Sequence, residues 1–327
     1  MPYVKLKTPD PAAPLAAGGF EMPRLDVDHI KRKWLNVDYT PANPHPARKV
    51  DIYLPDEGEG PFPTIIAIHG GAFWGGDKDD MQVAAYLEAI PHGFAVASVE
   101  QRLCNNRAGF GQPSDYNPEG LFPNPVFDYK AAIRFLRANA ATYKLDPNRF
   151  ATAGGSAGGY HAVIAAASAN NPVLYDNSLG YADVSDEVQA VVDWFGVGDL
   201  VLQSEFTATS PGMKIPLPDG TEMEMKMDNY ADIFLGVNAR EHPELAYFAN
   251  PESWITAKMP PTLVQVGAAD EIVPYLCSKH IADKIAAVCG PDRVTYEEFE
   301  GYTHGDMRFN EEGNILHMIE WLKTKLQ

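Results

Sequence analysis

The sequence predicts an α/β fold in which a mostly parallel sheet carries helices on both faces. Short apolar runs alternate with segments of helical spacing along most of the 327 residues, and this alternation favours parallel strands joined by helical crossovers. One run, residues 64–68 (T-I-I-A-I), is almost wholly apolar, as in strands covered on both faces. The length suits one large α/β domain with insertions.

Apolar runs and alternation predict eight strands, at residues 34–40, 49–54, 64–68, 94–99, 149–153, 188–194, 262–266 and 294–299. Helical spacing predicts helices at residues 80–90, 125–141, 275–288 and 310–325, and in the Ala-rich segment that ends near residue 169. The first two strands are joined by the Pro-rich turn 41–47 and are expected to pair at an edge of the sheet.

Two stretches depart from the strand–helix alternation. Residues 1–22 are rich in Pro, Ala and Gly, so we expect a loose surface segment within an N-terminal extension of about residues 1–30. Residues 199–260 contain several turn signals and three methionines at alternate positions, 223, 225 and 227. We interpret this stretch as a cap insertion, in which the methionines line an apolar pocket or pack against their own scaffold. Residues 1–327 are thus expected to form a single domain.

Charge and cysteine content argue against several classes of function. The net charge of -18 opposes binding to nucleic acid or to an anionic membrane. No run approaches the roughly 18 apolar residues of a membrane span, and the N-terminus lacks an apolar signal core. We therefore expect a cytoplasmic protein, or a secreted one whose signal peptide has been removed. The three cysteines, Cys104, Cys277 and Cys289, show neither metal-ligand spacing nor a disulfide framework.

The most informative motif lies between the fifth predicted strand and the Ala-rich helix. Gly154-Gly155-Ser156-Ala157-Gly158 fits the G-x-S-x-G pattern of a nucleophile elbow, in which a strained turn presents a serine between strand and helix. Chance occurrence and a glycine-rich phosphate-binding turn are the alternatives for this stretch alone. A G-x-G-x-x-G motif does not fit, and the absence of a following G-K-S/T argues against a P-loop.

A second glycine-rich turn follows the buried run 64–68. His69-Gly70-Gly71 stands where backbone N–H groups can turn toward a ligand, which is what an oxyanion hole requires. The alternative is a tight turn that holds a core aromatic residue. The combination of this turn with the Ser156 motif favours nucleophilic catalysis.

A serine nucleophile needs a base and a carboxylate that orients the base. Among nine histidines, His304 lies in a loop between the last predicted strand and the last helix, from which it can reach the carboxyl edge of the sheet. Asp270, which follows the strand 262–266, is the natural carboxylate, with Asp199 as runner-up. Asp306 is too close to His304 in sequence to orient its ring from behind.

The other polar residues near these motifs are given structural roles. His69 is expected to brace the glycine-rich loop of residues 69–76, called the oxyanion loop below, by a hydrogen bond. His161 falls within the helix that follows Ser156, on the wrong side of the elbow turn to meet this serine. Glu271 is expected to point away from the site. Arg102 and Asp128 are expected to be structural and are candidates for an ion pair. His280 and His317 fall within predicted helices, where exposure or packing is expected.

Several of these motifs together resemble those of a known family of esterases. The matching segments are His69-Gly70-Gly71, residues 154–159, residues 267–274 (G-A-A-D-E-I-V-P), Thr303-His304-Gly305, and residues 50–55 and 131–137. As a set, they resemble α/β-hydrolase esterases of the hormone-sensitive-lipase-like group, and most closely the subgroup of bifunctional feruloyl and acetyl-xylan esterases. The resemblance covers about residue 34 to the C-terminus and implies an eight-stranded α/β-hydrolase fold.

The resemblance also implies roles for particular residues. It implies Ser156 as nucleophile, His304 as base and Asp270 as orienting carboxylate, and an oxyanion hole formed by the backbone N–H groups of Gly70, Gly71 and Ala157. It implies short-chain or aromatic acyl esters as substrates, including acetyl and feruloyl esters of plant carbohydrate. No cofactor and no metal ion is expected.

The sequence departs from the family pattern around the site. Gly155 precedes the serine where many members carry Asp or Glu, and Ala72 replaces the usual third glycine of the oxyanion motif. Glu100-Gln101-Arg102 replaces a tyrosine–arginine pair, and the loop 101–119 is long. These departures bear on the choice of substrate more than on the type of reaction.

We therefore expect a serine carboxylesterase that acts through an acyl-enzyme. An amidase or formamidase with the same three residues and a non-catalytic binding protein on this scaffold are the alternatives. A peptidase of the oligopeptidase type is disfavoured, because no propeller-sized domain precedes the hydrolase. The sequence predicts neither the acyl length nor the alcohol portion of the substrate. It is compatible with a homo-oligomer but does not predict the oligomeric state.

Overall fold

The computed structural model describes residues 3–7, 22–105, 116–210, 212–216, 222–225 and 227–327. Its strands are β1 (Lys5–Leu6), β2 (Leu25–Asp26), β3 (Lys33–Asp38), β4 (Lys49–Tyr53), β5 (Phe62–Ile68), β6 (Ala95–Val99), β7 (Leu145–Gly155), β8 (Ala190–Trp194), β9 (Met213–Pro216), β10 (Glu222–Met225), β11 (Thr262–Gly267) and β12 (Val294–Phe299). Its α-helices are α1 (Ala84–Leu87), α2 (Asn124–Ala138), α3 (Ala157–Ala167), α4 (Leu200–Thr209), α5 (Tyr230–Leu235), α6 (Pro243–Ala249), α7 (Tyr275–Cys289) and α8 (Glu312–Lys325).

The central sheet has eight strands in the order β12-β11-β8-β7-β5-β6-β4-β3. All neighbouring pairs from β12 to β6 are parallel, whereas β4 runs antiparallel to β6 and to β3. The predicted mostly parallel, eight-stranded sheet is confirmed, and so is the predicted edge pair. Because β5, β7, β11 and β12 all run in one direction, the loops that follow them gather at one edge of the sheet.

Both faces of the sheet are covered by apolar side chains. On β5, Ile65 and Ala67 belong to a buried cluster that contains side chains of α1 and α8. Ile66 and Ile68 belong to the cluster on the other face, which contains side chains of α2, α3 and α7. Since successive strand residues point to opposite faces, the continuous apolar run of β5 is what a strand between two helical layers requires.

The predicted helix over residues 80–90 is broken into short pieces. Asp80 caps a 3-10 turn at Met81–Val83 by accepting a hydrogen bond from the N–H of Gln82, and α1 then extends for only four residues. A second 3-10 turn contains Pro91 and ends at Gly93, whose φ is 93°. Proline and a left-handed glycine stop the helix that the apolar spacing alone predicted.

The described part of the N-terminus is fixed to the body of the protein. The N–H groups of Tyr3 and Val4 both donate to the carboxylate of Glu88, at 2.9 Å each, and Val4 is buried. Strands β1 and β2 pair antiparallel. The expectation of a loose segment is therefore wrong for residues 3–7, because Glu88 holds the N–H groups of Tyr3 and Val4 and the N–H of Lys7 donates to the carbonyl oxygen of Arg24 at 2.8 Å. Residues 1, 2 and 8–21 lie outside the described part.

The segment between β8 and β11 contains α4, the antiparallel pair β9 and β10, α5 and α6. Neither β9 nor β10 joins the central sheet. The side chains of Met223 and Met225 lie outside the described part, as do residues 106–115 of the predicted long loop. Among the helices that the structure describes, none combines the length and the apolar character needed to span a membrane.

Candidate active site

Ser156 occupies a strained turn between β7 and α3. Its φ of 57° and ψ of -125° are rare for a residue with a side chain and are typical of strained functional turns. Its N–H donates to the carbonyl oxygen of Trp194 at 2.9 Å, which ties the turn to the end of β8. The turn therefore holds the hydroxyl at the carboxyl edge of the sheet, beside the N-terminus of α3.

Glycines around Ser156 allow the strand and the helix to meet. A Cβ atom on Gly154 would overlap the backbone of Gly158, and a Cβ atom on Gly158 would overlap the carbonyl oxygen of Ile68. Both obstacles are backbone atoms, which cannot rotate away as the end of a side chain can. The small residues of the motif are therefore required by the close approach of β5, β7 and α3.

Three side chains from separate strand ends form a chain of hydrogen bonds. The Nε2 atom of His304 lies 3.0 Å from the Oγ atom of Ser156, and Nδ1 lies 2.8 Å from Oδ2 of Asp270. In the neutral imidazole, Nδ1–H donates to the carboxylate while Nε2 accepts from the hydroxyl. The structure thus brings together the three residues that the sequence predicted as base, carboxylate and nucleophile.

Asp270 is held by backbone donors as well as by His304. Its Oδ1 atom accepts hydrogen bonds from the N–H groups of Ile272, at 3.0 Å, and Val273, at 2.8 Å. Its other oxygen is thereby left for the imidazole. A carboxylate fixed in this way can set the orientation of the ring that it contacts.

Two opposing effects determine the pKa of His304. Burial lowers this pKa, but the negative charge and hydrogen bond of Asp270, with a further contribution from Glu271, outweigh burial and raise it above its ordinary value. The Oε2 atom of Glu271 lies 3.5 Å from the backbone N of His304. The expectation that Glu271 points away is therefore wrong, because the turn after β11 places both acidic residues beside the histidine loop.

The other carboxylates have structural partners. Asp199, the runner-up for Asp270, caps α4 by accepting from the N–H groups of Val201 and Leu202, at 3.0 and 3.1 Å. Asp306 binds the guanidinium of Arg308 through both of its oxygens. Neither carboxylate makes a described hydrogen bond to the imidazole of His304.

The loop after β5 adopts a left-handed conformation. Gly71, Ala72 and Phe73 all have positive φ, at 105°, 58° and 61°, so the chain turns back on itself beside the elbow. A Cβ atom on Gly70 would lie 3.3 Å from the Cβ atom of Ser156. Among the described hydrogen bonds, none uses the N–H of Gly70, Gly71 or Ala157 as donor. Three polar backbone groups are thus available beside the serine.

His69 holds this loop, as predicted, by a hydrogen bond. Its Nδ1 atom lies 2.7 Å from the carbonyl oxygen of Gly70, and its Nε2 atom lies 3.0 Å from Oε1 of Glu100. Burial lowers the pKa of His69, but Glu100 outweighs burial and raises it to about 9. In a trans peptide the C=O and the N–H point in opposite directions. The bond to Gly70 therefore directs the N–H of Gly71 away from the imidazolium.

Other predicted structural residues behave as expected. Both ring nitrogens of His161 are buried and have no hydrogen-bond partner in the described part of the chain, and burial lowers its pKa to about 3. Arg102 and Asp128 form the predicted ion pair, with contacts of 2.7 and 2.8 Å. Asp128 also binds Arg48 at 2.9 Å, so this carboxylate joins two buried guanidinium groups.

Sequence reasoning gave no role to Phe195, which lies beside His304. Its ring centroid is 5.0 Å from that of the imidazole. Only one feature of the sequence could have pointed to this contact. Gly155 lacks the acidic side chain that the resemblance to the esterase family leads one to expect before the serine.

Among the described residues, no group of three or more His, Cys, Asp and Glu side chains is arranged to hold a metal ion.

Comparisons with known proteins show similarity to esterases. The family model described as BD-FAE matches residues 50–285. Esterase LipC of Mycobacterium tuberculosis is 26% identical over 261 residues, which are 80% of this chain and 57% of LipC. The chain spans about half the length of the curated relatives it matches.

Solved structures are similar over nearly the whole chain. A truncated carbohydrate esterase from gut microbiota has a TM-score of 0.71 at 23% identity, with 92% of this chain and 98% of that chain covered. A bifunctional GH43-CE protein of Bacteroides eggerthii has a TM-score of 0.72 at 25% identity, with 93% of this chain and 39% of that chain covered.

Proposed function

The chain belongs to the BD-FAE family and has the α/β-hydrolase fold, and we propose that it is a serine hydrolase of carboxylic esters. One observation carries the proposal: Oγ of Ser156 lies 3.0 Å from Nε2 of His304, whose Nδ1 lies 2.8 Å from Oδ2 of Asp270. A hydroxyl, a base and an orienting carboxylate in this order are the parts of an activated nucleophile.

The proposed reaction proceeds through an acyl-enzyme. Ser156 attacks the ester carbonyl while Nε2 of His304 takes the hydroxyl proton, and Asp270 holds the imidazole and stabilises its positive charge. The tetrahedral intermediate collapses as His304 returns the proton to the leaving alcohol. Water then attacks the acyl group with His304 again acting as base, and this step releases the acid and restores Ser156.

The proposed oxyanion hole consists of the N–H groups of Gly70, Gly71 and Ala157. Two features support it: Gly70 lies against Ser156, and these donors have no described acceptor within the chain. The N-terminus of α3 adds a favourable dipole for negative charge beside the serine. Donors that are oriented before the charge develops stabilise the transition state without further reorganisation.

We propose short acyl and aromatic acyl esters as substrates, including acetyl and feruloyl esters of plant carbohydrate. The support is membership of the family together with the likeness to a structure described as a carbohydrate esterase. Since one fold serves many substrates, the substrate class rests on these relatives and not on the geometry of the catalytic residues.

We propose that residues 199–260 form a cap on a single domain and border the acyl site. The ring of Phe234 on α5 stacks on Phe73 of the oxyanion loop, with centroids 4.0 Å apart and planes at 11°. The hydroxyl of Tyr160 on α3 donates to the carbonyl oxygen of Ala249 at 2.7 Å. These contacts join the insertion to the two elements that flank Ser156.

Turnover of p-nitrophenyl acetate tests the proposed reaction. We expect hydrolysis by the native chain and loss of about 10⁴-fold or more in kcat for Ser156→Ala, since the nucleophile is then absent. A fluorophosphonate probe should label the native chain at Ser156 and leave that variant unlabelled. Full activity in Ser156→Ala would refute the assignment.

A substrate panel tests the substrate class. Acetyl, butyryl, octanoyl and feruloyl esters are compared with formylkynurenine, an amide, by kcat/KM. We expect the acetyl and feruloyl esters to exceed the octanoyl ester and the amide. Preference for the amide would instead indicate a formamidase.

A further inference from the structure

The ring of Phe195 lies beside the imidazole of His304, and the mechanism above does not use this contact. The two ring centroids are 5.0 Å apart and the planes meet at 70°. Phe195 is 9% exposed, and its ring also packs against Phe309 at 4.8 Å. A side chain that follows β8 thus touches a histidine that follows β12.

The backbone at Phe195 is strained and firmly held. Its φ of 44° lies in the left-handed region, which a bulky side chain disfavours. Its N–H donates to the carbonyl oxygen of Gln265 at 2.7 Å, and the preceding residue, Trp194, accepts from the N–H of Ser156. The conformation persists because β11 and the elbow both bind this turn, and it aims the aromatic ring at the site.

The glycine before the serine leaves room for this ring. A Cβ atom on Gly155 would lie 3.0 Å from Cε2 and 3.1 Å from Cζ of Phe195. Gly155 is not among the glycines with positive φ, so its backbone conformation would accept other residues. The obstacle to a side chain at this position is therefore the ring of Phe195.

In the loop that carries His304, Tyr302 packs against Phe299 and Phe309, but two glycines give the loop no side-chain packing. Gly301 and Gly305 flank the histidine with φ of 72° and 60°, and a Cβ atom on either would meet nothing within 4 Å. Both glycines and Thr303 are exposed. The orientation of the imidazole consequently depends on the side chains around it.

We propose that Phe195 is a positioning residue for His304, and that Gly155 makes room for its ring. The ring holds the imidazole in line with Oγ of Ser156 and Oδ2 of Asp270, and it excludes water from one side of the imidazole. This inference deepens the proposed function and rests on it. A small displacement of a catalytic group is enough to lower the rate by about 100-fold.

Variants at Phe195 test the proposal through kinetics and titration. We expect Phe195→Ala to lower kcat for p-nitrophenyl acetate by about 10- to 100-fold with KM changed less than about twofold, and Phe195→Leu to recover part of the loss. Burial lowers the pKa of His304, so admission of water in Phe195→Ala should raise it. Unchanged kcat and an unchanged His304 titration in a folded Phe195→Ala protein would overturn the proposal.

The titration also separates this proposal from the proposed function. NMR of the chain labelled at histidine follows the imidazole directly, and the signal of His304 is assigned by its absence in His304→Asn. A shift of the His304 titration in Phe195→Ala supports the positioning role whether or not the native chain hydrolyses an ester of the panel. Absence of hydrolysis would refute the esterase assignment alone.

A double-mutant cycle tests the link between Phe195 and Gly155. In the native background, Gly155→Ala should lower kcat by about 3- to 10-fold, because the methyl group displaces the ring of Phe195. In the Phe195→Ala background, the same substitution should have almost no effect on kcat. Equal losses in the two backgrounds would show that the ring and the glycine act independently.

Discussion

The Nε2 atom of His69 lies 3.0 Å from Oε1 of Glu100, at the end of the neighbouring strand β6. Glu100 also accepts hydrogen bonds from the N–H groups of Lys78 and Gln101, at 3.1 Å each, so its carboxylate is fixed. Because Nδ1 of His69 faces the carbonyl oxygen of Gly70, both ring nitrogens face acceptors. An imidazolium satisfies both contacts, and it holds the carbonyl oxygen of Gly70, one of the residues of the proposed oxyanion hole.

Replacement of this carboxylate should slow catalysis. Glu100→Gln keeps the size of the side chain but removes its charge, which weakens the hold of His69 on the Gly70 carbonyl. We expect kcat for an acetyl ester to fall about tenfold with KM nearly unchanged, less than the 100- to 1000-fold typical of a lost oxyanion donor. Glu119→Gln is the matched control, since Glu119 contacts His45 in an exposed pair; equal kcat values in the two variants would contradict the prediction.

The same pair should leave a signature in stability. The folded pKa of His69, about 9, lies above an unfolded value of about 6.5. Its stabilising contribution is therefore fully present below pH of about 6.5 and is lost as the pH rises through about 9. The free energy of unfolding is measured by urea titration at neutral and alkaline pH for the native chain and for Glu100→Gln. Its decrease between the two pH values should be smaller for the variant than for the native chain.

The activity should depend on the protonation of His304. A base must be neutral to act, and the pKa of His304 is raised by Asp270 and Glu271 against the lowering effect of burial. The acid limb of kcat/KM should thus have its midpoint above about 6.5. Glu271→Gln removes one negative charge and should move the midpoint to lower pH, whereas Glu320→Gln, an exposed change on α8, should not. Titration of the carboxylic acid that the reaction releases gives kcat/KM at each pH. Identical pH profiles for Glu271→Gln and Glu320→Gln would count against the assignment of the acid limb to His304.

Asp270 and Asp199, the two candidates for the carboxylate that orients the base, should respond differently to substitution. Asp270→Asn should lower kcat by about 10³- to 10⁴-fold, because the amide favours the wrong imidazole tautomer. Asp199→Ala should lower the free energy of unfolding by about 1 kcal/mol through loss of the α4 cap and leave kcat nearly unchanged. Nearly intact kcat in Asp270→Asn together with a large loss in Asp199→Ala would reverse the two roles.

The glycines of the elbow should not tolerate a methyl group. Gly158→Ala places a Cβ atom against the carbonyl oxygens of Ile68 and His69, so we expect the free energy of unfolding to fall by about 1–3 kcal/mol and kcat to fall with it. Gly313→Ala is the control, since a Cβ atom there meets nothing within 4 Å and the residue lies in α8. That variant should be as stable as the native chain or slightly more stable, because Gly313 lies in the first turn of α8, where alanine gains less over glycine than in a helix interior. Urea titration compares the two, and equal stability would argue against close packing at Gly158.

Much of the fold could be predicted from local patterns. The apolar run of β5 and the alternation of β4 depend on which face of the sheet each residue occupies, and this periodicity is present in the sequence. The helix over residues 80–90 could not be predicted correctly in the same way. Its apolar spacing is helical, but a 3-10 turn capped by Asp80 and a second one that contains Pro91 and ends at Gly93 leave only four residues for α1.

The proximity of Ser156, His304 and Asp270 could be predicted for a related reason. Each follows a parallel strand, and parallel strands bring their carboxyl ends to one edge of the sheet. The placement of Glu271 and the contact of Phe195 could not be predicted, because each depends on how a turn directs a side chain toward a loop far away in the sequence.

Neighbours along the chain set most of the strands and helices, the glycine-rich turns and the residues that follow each strand, so local patterns are enough to predict them. Only the folded chain shows which carboxylate reaches the imidazole, where the charge of Glu100 lies and which ring packs beside His304. These contacts cannot be found in local patterns, because hydrogen bonds and packing act over a few ångströms in space, between residues separated by tens to hundreds of positions along the chain.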